Sequence, residues 1–237
     1  MKSPVKSVAK RLAVLCGRYG TEREAFEELE RAKGSDVTFV QIGAHDGKTD
    51  DELYPFVKRL GWKGILVEPV PYLFDRLKET YDEAEGIHLV NAALSNCVGK
   101  VPFYYVRDDA AVGLPRWYDQ LGSFHLDIIL RHVADVPELK DRIITTEVEA
   151  TTFSDLLARF GIGQVDLVSI DAEGHDDKIL KSVDFNKYRP DVVIYEGKHL
   201  GLRALLGSLI FMARHRYRAF YDNQNNIVCR SRRPAGG

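Results

Sequence analysis

Residues Val37–Gly47, V-T-F-V-Q-I-G-A-H-D-G, admit few folds. Five of the six residues from Val37 to Ile42 are apolar or β-branched, too continuous for a strand with one wet face. Such a run suits a parallel strand covered on both sides. Gly43 breaks it into a tight loop, and Gly47 stands just ahead of a helix. Each glycine removes a Cβ and permits positive φ, so backbone there can approach a ligand closely.

Three further apolar runs, Ile65–Val67, Val165–Ile170 and Val192–Tyr195, each end in an acid: Glu68, Asp171 and Glu196. The first run carries Gln41 in its penultimate place. Open parallel sheets bind ligands beyond the carboxyl ends of their strands. Gln41, Glu68, Asp171 and Glu196 are therefore expected to line one crevice. The competing reading is that acids after strands cap the helices that follow.

At 237 residues the chain suits one α/β domain with embellishments. Its net charge of −2 gives no global electrostatic case for a nucleic-acid or membrane partner. Cys16, Cys97 and Cys229 have no metal-ligand or redox spacing and suit a reducing compartment. The basic start has an apolar stretch too short for a signal peptide, and Ala204–Ala213 is far below membrane-spanning length. The expectation is a soluble, cytoplasmic protein.

Residues 1–35 read as a helical extension outside the sheet. Val5, Val8, Leu12 and Leu15 fall at helical spacing, and Thr21–Glu24 fits a capping box ahead of Ala25, Phe26 and Leu29. These faces would cover the sheet or a second subunit, which leaves homo-oligomerisation open. The main domain is expected over 36–230, with helices over Asp50–Leu60, Tyr72–Tyr81, Thr152–Phe160, Asp176–Val183 and Leu202–Arg214. Ser154-Asp155 is read as starting the third of these. Pro102 in the aromatic run Val101–Val106 points to an edge or bulge. Residues 108–141 break the alternation and read as an acceptor-side insertion, either a lid or a packing elaboration. Tyr217–Tyr221 and Asn226–Arg230 read as a closing hairpin, and 231–237 as a frayed tail.

Taken together, Gln41–Gly47, Leu66–Pro69, Asn91–Ser95, Leu121–Phe124, Val165–Gly174 and Tyr195–Leu200 resemble the FkbM family of methyltransferases, which use S-adenosylmethionine (SAM). The resemblance implies a Rossmann-like class I methyltransferase fold: a mostly parallel seven-stranded sheet with a terminal antiparallel hairpin. It implies methyl transfer to a hydroxyl of a small natural product or sugar, with S-adenosylhomocysteine (SAH) as product. Cofactor contacts are then expected from Gln41, Gly43, Ala44, Gly47, Glu68, Pro69, Asn91, Ala92, Ala93 and Asp171. Asp171, Glu173, Glu196 and His199 are the catalytic candidates, and Ser123, Phe124 and His175 the acceptor-binding ones. The family usually has an acid where this chain has Gln41, so the charge facing the cofactor's ammonium is missing from that position.

Two alternatives stand beside this reading. Asp171, Glu173, His175, Glu196 and His199 are ligand types for a divalent cation, which would make the protein a metal-dependent hydrolase or methyltransferase. An acceptor clamp or base without metal is favoured over it. The other alternative is a sheet that binds SAM without catalysing. A nicotinamide cofactor fits poorly, because Gly43-Ala-His-Asp-Gly47 lacks the spacing that pyrophosphate binding needs. His45 and His125 have no partner visible in sequence.

Overall fold

The computed structural model describes residues 20–108, 113–222 and 226–232. The apolar stripe at Val5–Leu15, Cys16 and most of the C-terminal tail lie outside these residues. Thr21 caps α1 (Glu22–Lys33) through the expected capping box, and Ala25, Phe26 and Leu29 are buried. Strands and helices then alternate: β1 (Thr38–Ile42), α2 (Tyr54–Leu60), β2 (Lys63–Val67), α3 (Pro71–Tyr81) and β3 (Ile87–Val90). A middle section follows with β4 (Ala93–Leu94), β5 (Gly99–Val106), β6 (Gly122–Ser123), α4 (Leu126–Val133), β7 (Ile143–Thr151) and α5 (Phe153–Arg159). The alternation resumes with β8 (Leu167–Ile170), α6 (Asp176–Ser182), β9 (Val192–Glu196) and α7 (Leu202–Arg214). β10 (Tyr217–Tyr221) and β11 (Asn226–Ser231) form the closing hairpin.

The main sheet has seven strands in the order β10-β11-β9-β8-β1-β2-β3, and β11 runs antiparallel to both of its neighbours. The unbroken apolar runs follow from burial on both faces. Phe39, Leu66 and Leu167 point to one side, where they join Phe26, Phe56, Val57 and Trp62. Val40, Ile42, Ile65, Val67, Val168 and Ile170 point to the other, against Leu156, Ile179, Leu180 and Met212. The period-2 alternation of a strand thus serves two cores rather than a core and solvent.

Two helix starts differ from the expectation. α2 begins at Tyr54, not Asp50: Asp50 has φ 54°, and the Asp51 carboxylate accepts the backbone N–H of Leu53 at 2.7 Å. α5 is capped by Thr152, whose side chain accepts from Asp155 N, rather than opened by Ser154.

The larger difference lies in the middle section. β5 pairs along its whole length with β7, and with β4 and β6 they form a second sheet in the order β4-β7-β5-β6. Pro102 sits where, among the described residues, β5 pairs with β7 alone, an edge stretch of the kind in which proline is tolerated. Residues from the expected insertion pack here: Leu121, Ile129 and Leu139 bury with Val106. This segment is anchored against the second sheet, and one of its edges reaches the ligand side.

Candidate active site

The order of the main sheet reverses between β1 and β8, and a cavity of about 320 Å³ opens beyond the carboxyl ends of the strands there. Gln41, Glu68, Asp171 and Glu196 all face it, as expected from four adjacent strands ending polar.

On the β1–β2 side, the backbone N–H groups of Gly43 and Ala44 both donate to Val67 O, at 2.9 and 3.0 Å, which folds the loop over the end of β2. Gly43 has φ +76°, and a Cβ there would stand 1.7 Å from the carbonyl oxygen of Asp171. Only glycine fits between the two strand ends. Glu68 is 4% exposed and accepts the N–H of His45 on one oxygen and that of Val70 on the other, each at 2.9 Å. Burial pushes its carboxyl up to about 7 despite these two bonds. Burial also works against ionising Asp46, but hydrogen bonds from Thr49 and Lys48 outweigh it and hold that carboxyl near about 2.

Gln41 donates from Nε2 to Asp51 at 3.2 Å, while its Oε1 is buried with no partner. Asp51 is itself on the cavity wall, and burial raises its pKa. The charge missing from position 41 is thus present on the neighbouring side chain. Glu22 reaches the same wall from the start of α1, accepts a hydrogen bond from Asn226, and is pushed by burial to about 8. His45, with φ 52°, places its ring 3.5 Å from Asp119 and from Asp46. Burial disfavours its charge, but Asp119 and the other acids more than compensate, so its pKa is raised.

On the β8–β9 side, Asp171, Glu173 and Glu196 converge. Burial and mutual repulsion push the carboxyls of Asp171 and Glu196 upward. Glu173 adopts φ 43°, an unusual conformation for a residue with a side chain. Ser123 Oγ donates to its carbonyl at 2.8 Å. Asp176, wholly buried, accepts backbone N–H groups from Ala172, Gly174 and Glu196, and so ties the loop after β8 to the end of β9. His199 Nε2 stands 3.0 Å from Glu173 Oε2 and 3.9 Å from Glu196 Oε2.

Of the expected cofactor contacts, Gln41, Gly43, Ala44, Glu68, Pro69, Ala92, Ala93 and Asp171 line the cavity. Gly47 does not: a Cβ there would meet Leu77 and Tyr81 of α3 at 2.5 and 2.6 Å, so this glycine serves packing. Asn91 turns its side chain to the carbonyls of Glu68 and Pro69, bracing the turn after β2 instead of facing the ligand. Of the acceptor candidates, Phe124 is on the wall. Ser123 is fully buried, bonded to the Glu173 loop and to His125 N. His175 lies behind Phe124, stacked on it at 4.1 Å, with its Nδ1 3.4 Å from His125 Nε2. Burial drives the pKa of His175 down to about 4, so this imidazole is a neutral packing partner. Ser123 and His175 therefore lie behind the cavity wall and brace it.

Asp51, Glu22, Asn226, His45 and Asp119 were not legible as site residues. Glu22, Asp51 and Asp119 sit in helical starts or loops whose sequence reads as solvated surface, Asn226 opens the last strand, and His45 has no partner visible in sequence; long-range packing turns each toward the cavity.

No curated protein sequence matches this chain. Among solved structures, methyltransferase FkbM from Methylobacillus flagellatus KT aligns with a TM-score of 0.54 at 12% identity, over 92% of this chain and 57% of that one. The METTL16 methyltransferase domain aligns at 0.48 and 11% identity, over 90% and 66% of the two chains. A Methanococcus jannaschii fibrillarin pre-rRNA processing protein aligns at 0.41 and 9% identity, over 96% and 74%. The first shows the shared class I methyltransferase fold; the other two are too distant to bear on what this chain acts on. This chain spans less than two thirds of the length of the first two. The Methyltransferase FkbM domain family matches residues 41–218, most of the chain, from the end of β1 to the start of the closing hairpin, and the protein belongs to that family.

Proposed function

We propose that this protein transfers the methyl group of SAM to a hydroxyl of a small acceptor. The observation that carries the reading is the buried, partnerless Oε1 of Gln41 beside Asp51, in a crevice walled by carboxylates. SAM is a doubly cationic ligand at one end, with a sulfonium and an ammonium. Gln41 Oε1 and Asp51 suit the ammonium as hydrogen-bond acceptors, one neutral and one acidic. The Gly43–Ala44 backbone, free of bulk, suits the amino acid and sugar portions. Each Glu68 oxygen accepts one backbone N–H and keeps a second lone pair for a ribose hydroxyl. Ala92 and Ala93 leave room for the base.

SAM supplies an electrophilic methyl that an acceptor oxygen displaces. The chain's own contribution is alignment. Phe124 packs edge-on against Phe103 at 5.3 Å, and both line the wall, so they exclude water and orient a small acceptor. Glu173 and Glu196 face that space from the ends of β8 and β9 and hold the hydroxyl, and His199, off the cavity wall, backs Glu173 at 3.0 Å. Holding the two reacting atoms in line is worth up to about 7–11 kcal/mol in well-oriented systems. Taking up the hydroxyl proton adds roughly 10²–10⁴-fold. Asp176 and Ser123 keep the loop in place.

The test is thermal shift and calorimetry with SAM, SAH, NAD and ATP, followed by a screen of hydroxylated small molecules with methyl-labelled SAM. Stabilisation by SAM and SAH and an O-methyl product are expected. A response to NAD alone, or label transferred only to nitrogen or to nucleic acid, overturns the reading.

A further inference from the structure

Three donor atoms meet at the β8–β9 end of the crevice. Glu173 Oε2, Glu196 Oε2 and His199 Nε2 are each shielded from solvent and, among the described residues, make no well-aligned hydrogen bond; His199 Nε2 lies 3.0 Å from Glu173 Oε2 and 3.9 Å from Glu196 Oε2, so the three converge on one point. The His199 side chain is 9% exposed and that of Glu196 10%. One donor atom from each of the three lies within 4.8 Å of the others. Atoms bound to a common cation at about 2.1 Å stand at most about 4.2 Å apart, so the set closes around an ion with sub-ångström movement. The other oxygen of Glu196 has Lys198 Nζ at 3.9 Å, which leaves Oε2 for the interior. Asp176 is occupied by backbone N–H groups and is not available as a fourth ligand.

We infer that Glu173, Glu196 and His199 form a binding site for one divalent first-row transition cation, at the acceptor end of the crevice. Two carboxylates with one imidazole favour Mn²⁺ or Zn²⁺ over Mg²⁺, which prefers an all-oxygen shell with several waters. Three protein ligands leave coordination positions open, and Glu173 and Glu196 line the cavity that those positions face. Resting on the methyl-transfer reading, this narrows the acceptor to molecules that present two neighbouring oxygens, such as a vicinal diol or an α-hydroxy acid. Asp171, expected in sequence as part of the cluster, is outside the three-atom set, and His175 is directed elsewhere, stacked on Phe124.

The experiment titrates metal-stripped protein with Mn²⁺, following the free-ion paramagnetic resonance signal, and repeats it with Mg²⁺ competing and with the variants Glu173→Gln and His199→Ala. SAH binding to each variant is measured by calorimetry. One Mn²⁺ per chain is expected, displaced by Zn²⁺ but not by equimolar Mg²⁺. Each variant should weaken Mn²⁺ by tenfold or more while SAH affinity stays within about threefold, which also reports that the variant is folded. Absence of Mn²⁺ and Zn²⁺ binding by the folded parent, or unaltered Mn²⁺ binding in both variants, overturns the site. Preference for Mg²⁺ overturns the transition-cation assignment. Mn²⁺ binding without any SAH or SAM binding would spare the cation site and remove the methyl-transfer reading, so the two failures are distinguishable.

Discussion

Replacing Gln41 by glutamate restores the acid usual at this position in the family, and on sequence grounds should tighten cofactor binding. The structure reverses that expectation for the free protein. Gln41 Nε2 donates to Asp51 Oδ2 at 3.2 Å, and in Gln41→Glu that donor becomes a second carboxylate oxygen. Two charges at that distance repel by about 5 kcal/mol at an effective dielectric of 20. The pair escapes by holding a proton. Protonating a carboxyl of ordinary pKa costs about 3.7 kcal/mol at pH 7 and about 1 kcal/mol at pH 5, which caps the penalty. For a chain of this size, each kcal/mol moves the melting temperature by about 2–4 °C. Gln41→Glu should therefore melt lower by up to roughly 7–15 °C at pH 7, and within about 4 °C of the parent at pH 5. The double variant Gln41→Glu/Asp51→Asn, which swaps donor and acceptor, should recover most of the loss. Scanning fluorimetry at both pH values decides it. A single variant as stable as the parent at pH 7, or a double variant no better than the single, would refute the pairing.

Two other expectations follow from the same crevice. Gly43→Ala places a Cβ 1.7 Å from Asp171 O at a φ of +76°, so we expect a loss of about 3–5 kcal/mol in urea unfolding; a change below 1 kcal/mol would mean the loop relaxes freely. For pH dependence, Glu68 and Glu22 have folded pKa values raised from 4.5 to about 7 and about 8. Raised groups contribute stability that is fully present below pH 4.5 and lost as pH rises through their folded values, so the free protein should be more stable at pH 5 than at pH 8. Glu68 alone accounts for up to about 3 kcal/mol of that slope. Glu68→Gln should flatten it, and an unchanged slope would locate the titration elsewhere.

The strands of the main sheet and its ligand side were readable because local pattern carries them, whereas the order of the strands came from the tertiary structure. An apolar run such as Val37–Ile42 has no solvated face, so it must lie between two layers, and residues 38–42 do. The capping box at Thr21, the closing hairpin and the acids ending adjacent strands are similarly local. The second sheet was not readable. β5 finds its partner β7 across the whole intervening segment, and nothing in Gly99–Val106 names Ile143–Ala150 as its complement. A cross-strand pair is recognised by packing after the chain has folded, not by spacing along it.

The same division runs through the site. Gln41, Glu68, Asp171 and Glu196 share a wall because their strands lie side by side; the polar strand ends are written in the sequence, and the sheet order is set by packing. Gly43 and Gly47 look alike in sequence, yet one faces Asp171 beside the ligand space and the other faces Leu77 and Tyr81. Which atoms crowd a missing Cβ depends on elements far along the chain. Asp51 and Glu22 look like ordinary charges at helix starts, and Ser123 and His175 like polar side chains beside an acceptor. Tertiary packing turns the first pair into the crevice and the second pair behind its wall. Sequence determined the strands, their polar ends and the family; burial, a property of the folded whole, decided which polar groups reach the ligand and which only hold the others in place.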